Sequence, residues 1–217
     1  MVSTSAGEIA ALSWSDAGSE APLLHFAHAT GFNAHTYRRL LEPLSKRFRI
    51  AASDARGHGR TRLLAIPENL VSWQTYEADL ERLLEVLGEP AFLIGHSIGA
   101  TVSLMLAAKR PDLALGVAMI EPSFVPFNRA CQVALDRREG SSIPFDIALQ
   151  ARKRRPIWSS RQEVRNSYSG KAMFSSWREG LLDDYLEGGL HFLDDGRVAL
   201  ACDPAWPSSP LPSSLTA

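Results

Sequence analysis

The sequence predicts an α/β protein: a mostly parallel sheet with helices packed on its faces. Three observations predict it. Short apolar runs alternate with helix-length amphipathic segments through the first 122 residues, the pattern of strand–helix–strand units. Polar or glycine-containing segments (His28 to Phe32, Asp54 to Thr61, Ser97, Glu121) each follow directly on a strand-like run. In a parallel sheet the carboxyl ends of the strands share one edge, so four separate segments converge there. The chain has 217 residues, 45% of them hydrophobic, enough for one sizeable core.

The elements follow in order. A first strand is expected within residues 8–14 and a buried strand over 22–28. Tyr37, Leu40, Leu41 and Leu44 fall at i, i+3, i+4 and i+7, which predicts an amphipathic helix over 35–46. Phe48 to Ser53 reads as the next strand, and 54–70 as a loop containing Pro67. Trp73, Tyr76, Leu80, Leu83, Leu84 and Leu87 mark one face of a helix that Gly88 ends. Ala91 to Ile94 is a strand, Ala100 to Lys109 a helix that stops before Pro111, and Leu113 to Ile120 a further apolar strand.

After Pro122 the alternation stops. Prolines 122, 126, 144 and 156 and the run Arg152-Lys153-Arg154-Arg155 replace it. A helix is expected within 174–190, then a hairpin from Leu190 to Cys202 around Asp194-Asp195-Gly196. The expected organisation is a core over 1–122, a mainly helical cap over 123–206, and a Pro- and Ser-rich disordered tail over 207–217.

Composition narrows the function. A net charge of −1 with 22% charged residues gives no basic face for nucleic acid or an anionic membrane. The one basic run reads as a solvated surface. Cys131 and Cys202 are far apart, with no C-x-x-C pair, and read as free thiols of a reducing compartment. The amino terminus has neither a basic nor an apolar leader region, and no apolar run reaches membrane-spanning length. A cytoplasmic protein is expected.

The chemistry centres on Gly95-His96-Ser97-Ile98-Gly99. This G-x-S-x-G sits between a strand and a helix, as a nucleophile elbow requires. The glycines either side let neighbouring backbone crowd the turn, and the helix start aims N–H groups at a developing oxyanion. With the turn His28-Ala29-Thr30-Gly31-Phe32 and the loop Asp54-Ala55-Arg56-Gly57-His58-Gly59-Arg60-Thr61, the chain resembles the α/β-hydrolase superfamily. The resemblance covers residues 8–122 closely and the cap loosely. It implies a serine hydrolase of ester or related acyl bonds in a small, apolar substrate, through an acyl-enzyme on Ser97. It also implies an oxyanion hole from Thr30, Gly31 and Ile98, with Ala29 where the family more often has glycine, and no cofactor or metal. Oligomeric state is unreadable. Trp158, Tyr168, Phe174, Trp177 and Trp206 would give the cap an aromatic lining.

The family's order of serine, acid, then histidine leaves the second half of the machinery short. His191 is the one histidine after Ser97 and so the possible base; Glu121, at the end of the strand after the elbow, is the possible acid. His25 reads as packed in a strand, His28 as structural, His35 as a surface or cap-facing residue that opens a helix, His58 as part of its loop, and His96 as pointing away from Ser97. Asp54 and Arg56 are expected to brace their loop. No strand–helix unit is legible after residue 206, so the two terminal strands of the fold are expected to be missing. The alternatives are therefore an incomplete, catalytically impaired hydrolase, or a ligand-binding member of the fold without turnover.

Overall fold

The computed structural model describes residues 1–70, 72–124 and 151–206. The order of elements is β1 (Val2–Thr4), β2 (Gly7–Ile9), β3 (Ala11–Trp14), β4 (Leu23–Ala27), α1 (Arg38–Leu41), β5 (Arg49–Ser53), α2 (Gln74–Leu87), β6 (Ala91–His96), α3 (Ile98–Lys109) and β7 (Ala114–Ile120). Residues 151–206 add β8 (Ile157–Trp158), α4 (Arg161–Ser169), α5 (Ala172–Ser175), α6 (Leu181–Gly189), β9 (Leu190–Phe192) and β10 (Val198–Leu200).

The central sheet has the order β3-β5-β4-β6-β7, parallel throughout except for antiparallel β3. This is the expected α/β fold, with a mixed, mostly parallel sheet. β4 lies at its centre, and Leu23, Leu24, His25 and Phe26 are all buried, as a strand covered on both faces must be. One face packs Leu23, Leu93 and Ala51 against Leu80, Leu83 and Leu84 of α2 and Leu106 of α3. The other packs Leu24, Phe26, Ile50 and Ala52 against Tyr37 and Leu41. Gly88 ends α2 at φ +77, a conformation that glycine adopts without a Cβ penalty.

Two details depart from expectation, the helix over 35–46 and the place of Trp206. The helix over 35–46 is broken into a 3-10 turn (Ala34–Tyr37), the four residues of α1, and a second 3-10 turn (Glu42–Lys46). Pro43 has no N–H for the Arg39 carbonyl and its ring crowds that position, so the α-helical ladder stops. Leu40 consequently faces solvent. Among the described residues the apolar strand β7 is a sheet edge, and Leu115, Val117, Met119 and Ile120 are exposed. Trp206 is not part of the cap lining. It packs edge-on to Tyr76 within the core, against Gly57, where a Cβ would stand 2.6 Å from the indole.

The described part of the expected cap combines three helices with a small antiparallel sheet, β8-β10-β9. The hairpin β9–β10 forms where expected, turning at Gly196 with φ +83. A helix within 174–190 is realised as α6, with α5 ahead of it. Trp158, Tyr168, Phe174, Tyr185 and Leu186 form a separate buried cluster, and Phe32 of the turn after β4 packs against it. The tail over 207–217 and Cys131 lie outside the described residues. Among the described residues no helix is long and apolar enough to cross a membrane.

Candidate active site

Ser97 joins β6 to α3 with φ +55 and ψ −120. A non-glycine residue there is strained, and it persists only where its surroundings over-determine it. The flanking glycines supply the constraint. A Cβ on Gly99 would stand 2.6 Å from the Ala27 carbonyl carbon and 2.7 Å from the His28 oxygen; one on Gly95 would collide with the backbone of Gly99. The start of α3 is thus pressed directly onto the end of β4. That contact brings the helix N-terminus beside the turn His28–Phe32. Thr30 and Ile98 line the same cavity, about 50 Å³ in volume, and neither amide donates a hydrogen bond to a described residue.

Gly31 is a correction to the expected oxyanion set. Its N–H donates to His58 Nε2 at 3.0 Å, which leaves Thr30 as the open amide of that turn. The turn is held from below by two neutral histidines. His58 Nδ1 donates to the Arg56 carbonyl at 2.9 Å. His28 Nε2 accepts the Ala55 N–H at 2.9 Å and Nδ1 donates to its neighbour's carbonyl, Ala29 O, at 2.8 Å. Burial is the main cause that lowers both to a pKa of about 4, with repulsion between the two rings, were both to carry a proton, contributing to His28. His25, fully buried against Ser53, is lowered to about 3 by burial. Asp54 ties the next layer, accepting from the Ala34 N–H and the Arg60 N–H, both at 2.8 Å. Arg56 braces the loop differently from the expectation. It makes a two-pronged pair with Asp79 of α2, at 2.8 and 2.7 Å, because Asp54 is already taken by backbone donors.

The Ser97 hydroxyl shares a 2.9 Å hydrogen bond with the Ser123 hydroxyl. Ser123 was not among the sequence candidates. It is brought over because the Ser97 N–H donates to Ile120 O at the end of β7, and Thr101 Oγ1 donates to Ser123 O. No imidazole among the described residues hydrogen-bonds to Ser97. His191, on β9, lines a separate cleft with His35, Arg60, Arg161 and Glu187 that includes neither Ser97, Thr30 nor Ile98. Burial and the Arg60 charge lower its pKa. Glu121 stands at φ +43 with its carboxylate exposed and 3.9 Å from His96 Nε2. His96 in turn shares a 2.6 Å hydrogen bond with Tyr37, whose hydroxyl accepts the Ala29 N–H. Glu121 and His191 are therefore not brought together, and the carboxylate meets His96 instead.

Over the site, Phe32 stacks on Trp177 with ring centres 5.8 Å apart, and Tyr185 donates to Gly31 O at 3.2 Å. Among the described residues no group of three His, Cys, Asp or Glu could hold a metal ion.

A mostly parallel sheet with a strained serine at a strand-to-helix turn defines the α/β-hydrolase class. The alpha/beta hydrolase family model matches residues 26–216, and the chain belongs to that family. It is 38% identical over 107 residues to 2-(acetamidomethylene)succinate hydrolase of Mesorhizobium japonicum, covering 49% of this chain and 37% of that protein. It is 34% identical over 198 residues to the magnesium-chelatase 30 kDa subunit of Rhodobacter capsulatus, covering 81% of this chain and 62% of that one. The crystal structure of E-2-(acetamidomethylene)succinate hydrolase superposes with a TM-score of 0.66 at 24% identity, over 93% of this chain and 67% of the other. The chain thus spans less than two thirds of the length of both curated relatives.

Proposed function

We propose that this chain is a serine hydrolase that cleaves an ester or related acyl bond in a small molecule, using Ser97. The observation that carries the reading is the strained Ser97 backbone at the strand-to-helix turn, next to the Ile98 amide, with the start of α3 pressed onto the end of β4 that leads into Thr30. Strain of this kind holds a hydroxyl clear of the backbone, which a purely structural serine does not need. In the proposed step Ser97 Oγ bonds to the carbonyl carbon, and its proton passes by way of the Ser123 hydroxyl, its 2.9 Å partner, to the leaving alkoxide oxygen. The carbonyl oxygen takes the negative charge between the two amides. The bond to the leaving alcohol breaks, the alcohol departs with a proton, and water then releases the acid from the acyl-enzyme. The Mesorhizobium japonicum relative named as a hydrolase supports the reaction class. The aromatic group Phe32, Trp177 and Tyr185 supports an apolar wall for the substrate.

One observation favours a second reading, a member of the fold that binds ligand with little turnover. Among the described residues the hydrogen-bond partner of Ser97 Oγ is the Ser123 hydroxyl, and no base meets it. A serine without a base loses several orders of magnitude in rate, while the oxyanion site still gives residual catalysis. Burst kinetics with an activated aryl ester separate the readings. A Ser97-dependent burst supports the hydrolase. Equal, slow rates for the native chain and Ser97→Ala favour the binder.

A further inference from the structure

In sequence Tyr37 is one apolar position of an amphipathic segment. In the structure its hydroxyl stands between the two halves of the site. Its oxygen accepts the Ala29 N–H at 3.3 Å, and it shares a 2.6 Å hydrogen bond with His96 Nδ1. Ala29 immediately precedes Thr30, and His96 immediately precedes Ser97. Successive Cα atoms are about 3.8 Å apart. One oxygen atom therefore holds both the residue before the open amide and the residue before the strained serine.

The proton on each bond follows from the groups present. A backbone N–H only donates, so the phenol oxygen accepts from Ala29. Burial raises the pKa of the phenol, which keeps its proton. Burial also lowers the pKa of His96, and Nδ1 of the neutral ring takes the phenol O–H. The His96 proton then lies on Nε2, the atom 3.9 Å from the Glu121 carboxylate.

The Tyr37 ring is held as firmly as its hydroxyl. Its residue is 8% exposed, and its ring packs on Phe26 with centres 4.6 Å apart and edge-on to Phe32 at 6.1 Å. Its backbone ends the 3-10 turn that Asn33 caps, with Asn33 Oδ1 accepting the Thr36 N–H at 3.1 Å. The far side of the oxyanion turn is tied separately, the Gly31 N–H to His58 and the Gly31 carbonyl to Tyr185. Tyr37 is thus the link from that turn to the elbow strand. A phenylalanine would fill the same space, yet it would leave the Ala29 N–H and His96 Nδ1 without this partner.

We propose that Tyr37 is a positioning residue of the hydrolase site, whose hydroxyl fixes the spacing between Ser97 and the Thr30 amide. Its task rests on the hydrolase reading, in which the carbonyl carbon meets Ser97 while the carbonyl oxygen meets Thr30. Misplacement of reacting groups by about 1 Å is worth about 100-fold in rate. Tyr37 reaches the rate in this way, with no contact to the substrate.

The test labels the full chain with a fluorophosphonate over a range of concentrations, which gives a maximal rate and a half-saturating concentration. Tyr37→Phe should lower the maximal rate at least about 10-fold and leave the half-saturating concentration within about 2-fold. Ser45→Ala is the control. It also removes a buried hydroxyl with two partners, Asp16 and the Glu42 carbonyl, and neither belongs to the turn or the elbow. It should lower the urea midpoint and leave the labelling rate at the native value. His96→Ala cuts the other end of the link; it should slow labelling as Tyr37→Phe does, and the double variant should slow it no further. The 1H–15N resonances of Thr30 and Ile98 should both move in Tyr37→Phe and stay in place in Ser45→Ala. A smaller fall in Tyr37→Phe, an equal fall in Ser45→Ala, or losses that multiply in the double variant would overturn the proposal. If the native chain takes no label at Ser97, the hydrolase reading fails. The two amide resonances then decide the positioning role alone: movement of both sustains it, and unmoved resonances overturn it.

Discussion

Gly99→Ala is the sharpest perturbation of the elbow. The added methyl would stand 2.6 Å from the Ala27 carbonyl carbon and 2.7 Å from His28 O, and closer still to Ala27 O. Ordinary contact begins at 3.4 Å, so about 1 Å must be found between two backbone segments, with no flexible side chain to give way. Overpacking of this kind costs about 1–3 kcal/mol where side chains can rearrange. Here α3 itself must move off β4, so the upper end, about 3 kcal/mol, is expected. The same movement would separate the Ile98 and Thr30 amides, and misplacement by about 1 Å is worth about 100-fold in rate. Gly170→Ala is the matched control: nothing lies within 4 Å of its Cβ position and its φ is −82. It should change stability by less than about 1 kcal/mol. The assays are urea denaturation and the rate of fluorophosphonate labelling. A Gly99→Ala chain that matches the native midpoint and labelling rate would refute the claim that this contact sets the site.

Two further outcomes follow from the buried charges. His25, His28 and His58 have folded pKa values of about 3, 4 and 4, below the 6.5 of the unfolded chain. The unfolded state therefore binds protons first as pH falls; their neutral-state stability is complete above about 6.5 and is lost progressively toward pH 4. A shift from 6.5 to 4 amounts to about 2 kcal/mol per histidine at pH 5. Denaturant midpoints should fall steeply between pH 7 and 5, and a flat profile there would contradict the neutral assignment. Arg56→Ala would leave Asp79, whose side chain is 8% exposed, only its 3.3 Å contact with Arg82 Nη1, and should cost about 1–3 kcal/mol by chemical denaturation. A cost below about 0.5 kcal/mol would mean that Arg82 or water compensates Asp79 fully.

The fold was legible because its signals are local. Apolar runs, Gly88 and the glycines around Ser97 each constrain their own neighbourhood, and the sheet followed from their alternation. The elbow was legible for the same reason, since Gly95 and Gly99 stand two residues either side of the serine. What escaped depends on distant pairings. Nothing near Gly31 in sequence says that His58 takes its N–H, and nothing near Ser123 places it on Ser97. Arg56 finds Asp79 across 23 residues, and Arg154 finds Gly31 and Cys202 from within a run of four basic residues. The break at Pro43 was locally readable, yet the i, i+3, i+4 pattern of leucines outweighed it.

The most direct test is the structure of the chain after reaction with a fluorophosphonate. Phosphorus is expected to bond covalently to Ser97 Oγ, with the phosphoryl oxygen within hydrogen-bond distance of the Thr30 and Ile98 nitrogens. A label on another residue, or a Ser97 adduct whose oxygen meets neither amide, would contradict it.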